Sequence, residues 1–396
     1  MAVVFLNRYI FYEGNLPIFG IIVLIYTILK HETKITYRMI LNVVTISFFI
    51  FIGYCLLRFN HSLTYIILGY TNNIYTIEVV HIWDMLIFLL LIVCSIALSY
   101  NSQKISKIVW LLIAGYVSMF IVRNLINIEA TQQGSNLSSG FTIFSLMPFV
   151  LLGINENYKH KLRASYIILF ILFLFFVLIG SRTATISIIT FFIMLGIWPI
   201  ITKHKFLYYS TFFAALLFIC AFMIAYLLLM EDQHWVFAEQ SNIGFLQKRI
   251  GTRFQIWQHL IEIISGDNWL YGFGVDFPTN LQEPVSYLFF DLNRENIAAE
   301  SLYLELVYRT GVLGLLFFLL VLFCIWKMLW DGRHIWVVKL SGCMLISTML
   351  ICSAGTSLIF STMQLKCGFI WLFFGLGIGA ALRAKTIKPE PAHKRL

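Results

Sequence analysis

Long apolar stretches recur along almost the whole chain and are separated by short polar connections. A membrane-spanning helix needs about 20 mostly apolar residues, and eleven stretches meet or approach this requirement. They are residues 16–29, 40–57, 83–100, 105–122, 141–154, 164–180, 184–201, 206–230, 312–330, 340–360 and 367–382. The pattern predicts an all-α polytopic membrane protein with about 11 (10–12) transmembrane helices.

The exception is a polar run at 231–300, which is too hydrophilic to lie in lipid. It divides the chain into an N-terminal transmembrane bundle (1–230), one large loop (231–300), and C-terminal transmembrane helices with a tail (301–396). The periodic run 245–264 within the loop predicts helix, and Gly251 predicts a break in it. Residues 265–268 (Ser-Gly-Asp-Asn) predict that this helix ends there.

Composition agrees with a membrane protein. Apolar residues make up 60% of the chain, charged residues 12%, and the mean hydropathy is +0.85, whereas soluble domains have roughly 25% charged residues. The net charge of +9 does not predict a nucleic-acid partner, because basic residues in a membrane protein first report topology. The seven cysteines have no metal-ligand spacing, and we expect neither a metal nor a cofactor.

Positive charges predict the orientation. The tail 383–396 holds five Lys and Arg residues, which places it in the cytoplasm. Counting the spans back from this tail puts five further basic segments inside, at 333–339, 203–205, 159–163, 104–107 and 30–38. The N-terminus and the loop 231–300 then lie outside.

Arginine and lysine separate across this predicted topology. Thirteen of the 15 lysines fall inside, whereas eight of the 13 arginines fall outside. The outside arginines are Arg8, Arg58, Arg123, Arg182, Arg249, Arg253, Arg294 and Arg309. A planar guanidinium suits bidentate phosphate binding, so this set suggests phosphate recognition. The alternative is that the arginines pair with outside acids, which include Glu78, Asp84, Asp276 and Glu305.

Three local patterns select candidates from this set. Arg249, Arg253 and Trp257 recur every four residues and therefore share one face of a helix. Arg182 lies in a tight connection between two apolar runs, where an ionisable group is costly and is usually paired or functional. Glu305 precedes Arg309 by four residues, the favourable order for an ion pair within a helix.

Three blocks of sequence, taken together, resemble a known family. They are residues 180–184 (Gly-Ser-Arg-Thr-Ala), the segment 249–274 with its Tyr-Gly-Phe-Gly end, and residues 300–314, which begin Glu-Ser-Leu-Tyr-Leu and end Gly-Val-Leu-Gly. Their order and spacing resemble the bacterial O-antigen polymerase and ligase superfamily. The resemblance implies a multi-pass inner-membrane glycosyltransferase with a periplasmic site and an undecaprenyl-pyrophosphate-linked glycan as donor. It also implies no nucleotide sugar and no metal.

The resemblance also implies a mechanism. Arg182, Arg249 and Arg253 are candidates to stabilise the leaving pyrophosphate, with Arg309, Arg58 and Arg294 as further phosphate contacts. Glu300 is the candidate general base for the attacking hydroxyl, and displacement at the anomeric carbon should invert it. The alternative for Glu300 is a purely structural partner of a helix dipole.

Three other functions stay open. Ligases of this superfamily typically carry a His-Asn pair where this chain has Glu300 and Ser301, and the difference favours polymerase over transfer of the glycan to lipid A core. A transporter or flippase for lipid-linked sugars would place ionisable residues at mid-membrane and often shows internal repeats; the sequence shows no repeats, and span interiors such as 167–179 and 312–325 hold no charged residue. The last alternative is a membrane subunit without catalysis. A chain-length regulator and a flippase are partners implied by the resemblance alone.

Overall fold

The computed structural model describes residues 37–58, 75–101, 135–157, 182–231, 301–353 and 364–386, with short pieces at 163–164, 166–168, 170–171, 257, 260–261, 264, 269–274 and 358–359. Every regular element in these ranges is helical. The helices are α1 (Tyr37–Ile40), α2 (Val43–Arg58), α3 (Tyr75–Asn101), α4 (Ser135–Glu156), α5 (Arg182–Ile201), α6 (Lys205–Glu231), α7 (Leu302–Leu329), α8 (Trp336–Ile351) and α9 (Gln364–Thr386); a 3₁₀ turn, Trp330–Gly332, follows α7.

Four of the described helices are long and apolar enough to cross a membrane, judged by length and composition. These segments are Asp84–Asn101, Lys205–Ala225, Leu302–Gly332 and Cys367–Thr386. Four shorter apolar helices accompany them: Val43–Arg58, Phe144–Glu156, Thr185–Ile201 and Trp336–Ile351. The predicted helical class is therefore confirmed for the described residues.

The eight apolar helices coincide with eight of the eleven predicted spans. The predicted spans 16–29 and 105–122 lie outside the described residues, as does most of 164–180. The total of eleven, and the division at 231 and 300, therefore stay predictions. Three boundaries differ from the sequence pattern by eight residues or more: α3 begins at Tyr75 instead of residue 83, α7 begins at Leu302 instead of residue 312, and α8 ends at Ile351 instead of residue 360.

The interior of the bundle is built around α9, which packs most extensively along α3. Gly375 and Gly379 face α3, and a methyl group on Gly375 would lie 2.7 Å from the Ile92 carbonyl oxygen. Small residues four apart let two helix backbones approach closely, as in membrane helix pairs. α7 packs against α2, and α8 packs against α5 and α9.

Two helices turn an apolar face outward. On α5 the exposed side chains are five isoleucines, and on α6 they are mainly Phe and Leu. The α5 residues are Ile186, Ile189, Ile193, Ile197 and Ile200; those of α6 include Phe206, Phe213, Leu217, Phe218 and Leu228. Apolar surface of this extent suits contact with lipid and not with water. The helices and their surfaces describe an integral membrane protein.

Candidate functional site

Helix α7 is broken at Gly311, where the backbone has φ 71° and ψ −178°. Only glycine adopts this region without strain. In a continuous helix, the N–H groups of Val312 and Leu313 would donate to the carbonyls of Tyr308 and Arg309. The break removes both bonds and leaves four backbone groups that need other partners.

A segment of the large loop, residues 269–274, supplies those partners. Its carbonyl groups accept from the two N–H groups, and its own N–H groups donate to the two carbonyls. The bonds are Val312 N–H to Trp269 O (3.0 Å), Leu313 N–H to Leu270 O (3.3 Å), Phe273 N–H to Tyr308 O (2.8 Å) and Gly274 N–H to Arg309 O (2.9 Å). Four hydrogen bonds to the loop segment thus replace the two helical hydrogen bonds that the break removes.

Two glycines make this insertion possible, because each lies against the backbone of the other segment. A methyl group on Gly311 would overlap the carbonyl of Leu270. Gly272 has φ 74°, and a methyl group there would lie 2.7 Å from both the Arg309 carbonyl carbon and the Thr310 nitrogen. Gly272 of the Tyr-Gly-Phe-Gly block and Gly311 of the Gly-Val-Leu-Gly block therefore lie in the same contact between the two segments.

The end of α2 completes this arrangement, which we term the junction (Tyr54, Arg58, residues 269–274 and 308–313). The Arg58 guanidinium donates to the Gly272 carbonyl at 3.0 Å and lies 5.5 Å from the centre of the Tyr271 ring. The Tyr54 hydroxyl donates to the Thr310 carbonyl at 2.9 Å. The junction therefore joins the N-terminal bundle, the large loop and α7.

The loop segment is also held by its side chains. The Phe273 ring stacks on Tyr308 with centroids 5.3 Å apart and an interplanar angle of 18°. The Arg58 Nε atom is buried and has no hydrogen-bond partner. An arginine held this way presents a cationic group beside the loop backbone. This is the kind of group that binds phosphate oxygens.

The predicted pair of Glu305 and Arg309 is confirmed. Arg309 Nε donates to Glu305 Oε1 at 3.1 Å, and their side chains are only 8% and 4% exposed, in that order. For Arg309, the alternative that an outside arginine pairs with an acid is therefore correct. The pair lies within α7. Its second member, Arg309, is two residues before Gly311, where the helix is broken.

Replacing Glu305 with glutamine should leave the Arg309 charge buried without its carboxylate. Breaking one side of a buried pair costs about 3 kcal/mol or more, so we expect a clear loss of unfolding free energy, measured by denaturant titration in detergent. Because part of this loss is the orphaned charge, the double variant Glu305→Gln/Arg309→Gln should lose less than the sum of the two single variants. Full stability of Glu305→Gln would contradict this account of the pair.

The structure describes only some of the other predicted site residues. Arg182 is the first residue of α5, consistent with its predicted place at the end of a span. Arg249, Arg253 and Glu300 lie outside the described residues, so their roles stay predictions. Trp257, which shares the predicted arginine face, is helical and 1% exposed. That face is turned toward protein at Trp257.

The two residues that directly follow Glu300 are held at the start of α7. Ser301 precedes the first turn of α7 and is 1% exposed, and the Leu302 N–H donates to the Cys352 carbonyl at 2.9 Å. The start of α7 is thereby joined to the end of α8.

The roles of Tyr54 and of the 269–274 backbone were missed by sequence reasoning. An intramembrane tyrosine carries no signal of a distant carbonyl partner.

The described fold and junction define a class: an integral helical membrane protein with a short segment, residues 269–274, inserted at the break of a long apolar helix. Residues 167–319 match the family model described as O-antigen ligase. The match covers somewhat less than half of the chain and contains all three sequence blocks. It confirms the resemblance to the O-antigen polymerase and ligase superfamily. No curated protein matches the chain.

Proposed function

We propose that this protein polymerises undecaprenyl-pyrophosphate-linked oligosaccharide repeat units into O-antigen or a related surface polysaccharide. The reaction takes place at the periplasmic face of the inner membrane, with the C-terminus in the cytoplasm. The observation that carries the proposal is the match of residues 167–319 to the O-antigen ligase family. The junction supports it, because it holds residues 269–274 of the predicted loop on α7 next to the Glu305–Arg309 pair.

The donor chemistry calls for positive charge. When the anomeric C–O bond breaks, the electron pair leaves on the pyrophosphate, which gains charge and needs stabilisation. Arg182, Arg249 and Arg253 are the groups we propose to bind it, since guanidinium groups pair with phosphate oxygens in a fixed geometry. Arg309 is paired with Glu305 at 3.1 Å and is buried, so it ranks behind these three arginines as a proposed pyrophosphate contact.

The acceptor chemistry calls for a base. A sugar hydroxyl on a second lipid-linked chain attacks the anomeric carbon from the side opposite the pyrophosphate. A new glycosidic bond forms, the bond to the pyrophosphate breaks, and configuration inverts. We propose that Glu300 receives the hydroxyl proton. The next two residues, Ser301 and Leu302, are anchored at the start of α7.

The acceptor distinguishes polymerase from ligase. Donor chemistry is the same in both, so the family match, which is described as O-antigen ligase, keeps ligation to lipid A core as the second candidate function. We favour polymerisation because Glu300 and Ser301 stand where ligases of the superfamily typically carry His and Asn. The apolar runs 167–179 and 312–325 hold no Asp, Glu, Lys, Arg or His, and the Glu305–Arg309 pair lies in the first turns of α7. Charged residues at the middle of the spans, which a transporter of lipid-linked sugars would use, are therefore missing from these two runs.

A deletion strain tests the proposal directly. Surface polysaccharide from the strain, separated on a gel, should show glycan capped at a single repeat on its acceptor. Complementation with the wild-type gene should restore the ladder of longer chains, and Glu300→Gln should restore it poorly. Long glycan that accumulates on undecaprenyl pyrophosphate beside bare acceptor would instead identify a ligase. An unchanged ladder would contradict both functions.

A further inference from the structure

At the end of the bundle opposite the junction, two helix connections are fixed against each other. One is the turn 202–204 between α5 and α6, and the other is the segment 330–335 between α7 and α8. The Trp198 indole N–H donates to the Arg333 carbonyl at 2.9 Å and ties the two together. The rings of Tyr208 and Trp326 stack next to this link, with their centroids 4.2 Å apart and an interplanar angle of 9°.

The same pair is joined by two reciprocal hydrogen bonds. The Tyr208 hydroxyl donates to the Trp326 carbonyl at 2.7 Å, and the Trp326 indole N–H donates to the Tyr208 carbonyl at 3.0 Å. Both side chains are fully buried. The α6 N-terminus therefore cannot shift relative to the end of α7 without loss of buried hydrogen bonds, and the surface above it is preorganised.

That surface is strongly basic. It consists of Lys203, His204, Lys205, Arg333 and His334, of which all but Arg333 are exposed. We term these five residues the basic collar. Within the described part of the chain, neither Lys203 nor Lys205 forms an ion pair. The acid next to the collar, Asp331, bonds to Lys385 at 3.5 Å instead.

Aromatic rings support the cations of the collar. The Arg333 guanidinium lies 4.0 Å from the centre of the Trp330 ring, and the Lys205 ammonium lies 6.0 Å from the centre of Tyr209. Cation–π contacts of this kind orient the charged group without neutralising it. The collar thus keeps its positive charge for a partner outside the protein.

The adjacent surface of α6 is apolar and faces outward. Phe206 is 80% exposed and Leu217 is 70% exposed, with Leu207 and Phe213 between them. A row of cations at the end of such a face matches the shape of an anionic amphiphile, whose charged head lies at the membrane boundary and whose chains lie along the helix. A soluble anion would use the collar and gain nothing from the α6 face.

We propose that the basic collar and the adjoining face of α6 form a binding site for an anionic phospholipid. The phosphate of the headgroup contacts Lys203, Lys205 and Arg333, and the acyl chains lie along Phe206, Phe213 and Leu217. This site is separate from the junction and does not depend on the proposed glycosyltransferase activity.

The test is a lipid titration of the purified full-length protein in detergent, read by native mass spectrometry. Phosphatidylglycerol should bind more tightly than phosphatidylcholine. Lys205→Gln should weaken phosphatidylglycerol binding about fivefold, because one basic group near an anionic lipid contributes that much. Lys205→Arg should bind like the wild type, since the charge is kept.

Lys339→Gln is the matched control. Lys339 also lies in the first turn of a helix at this end of the bundle and faces an aromatic ring, Trp336, at 5.4 Å. The ring beside Lys339 donates to the Leu151 carbonyl on α4, whereas the ring beside Lys205, Tyr209, is part of α6. Equal weakening by Lys339→Gln and Lys205→Gln would show diffuse charge attraction and overturn the proposal. Equal binding of the two lipids, or equally effective competition by inorganic phosphate, would overturn it too.

Discussion

Replacing Gly311 with alanine will prevent the large loop from binding to α7. The added methyl group overlaps the Leu270 carbonyl, and the backbone at φ 71°, ψ −178° is closed to L-residues. The backbone strain and the loss of the four junction hydrogen bonds together should cost about 5 kcal/mol or more. We expect little folded protein in membranes and no polysaccharide ladder, measured by size-exclusion chromatography of the solubilised protein and by the complementation gel.

Two other helical glycines provide the control for this substitution. Methyl groups on Gly53 in α2 and Gly196 in α5 would meet nothing within 4 Å. Alanine is a better helix former than glycine, so Gly53→Ala and Gly196→Ala should fold as well as the wild type or better. If Gly311→Ala eluted and functioned like these two variants, the junction would not be needed for the native structure.

Replacing Arg249 with alanine will leave the protein folded and nearly inactive. We expect a fall in polymerisation rate of about 10²–10³-fold, the usual effect of removing one preorganised group that stabilises a developing anion. The reason is the proposed contact between this guanidinium and the leaving pyrophosphate. The measurement is the rate at which synthetic lipid-pyrophosphate-linked repeat units are joined by purified enzyme.

Two further variants separate charge from geometry at this position. Arg249→Lys should recover only part of the rate, because lysine keeps the charge but not the planar fork. Arg163→Ala, an exposed arginine predicted on the opposite side of the membrane, should keep the wild-type rate at equal abundance. An Arg249→Ala enzyme with normal rates would remove this residue from the site and leave the other arginines to be tested in the same way.

Periodicity and charge were enough to predict much of the fold. Apolar runs of about 20 residues located eight helices, because lipid and helix length impose the same requirement on every span. The same reasoning missed the start of α7 at Leu302. Glu305 and Arg309 make the first turns of α7 look polar, but the two side chains neutralise each other in the interior. A hydropathy pattern counts their charges separately and therefore starts the span too late.

The junction shows why the site was less accessible to sequence reasoning. Gly272 and Gly311 were recognisable as parts of motif blocks. The sequence did not show that they contact each other's segments, which are 39 residues apart. The hydrogen bonds that join these segments are formed by backbone atoms, which every residue has. No side-chain pattern encodes such bonds. The pair Glu305 and Arg309, in contrast, was predictable because its spacing is local.

The break in α7 also has a consequence for biogenesis. A ribosome-bound chain normally releases each span into lipid as a finished unit, with its backbone hydrogen bonds satisfied internally. α7 cannot be finished in this way, because two of its N–H groups and two of its carbonyls need residues 269–274. These residues are made before α7, and Arg58 of α2 donates a hydrogen bond to one of them, Gly272. Maturation of this helix is therefore a post-insertion event that requires three separately synthesised parts of the chain.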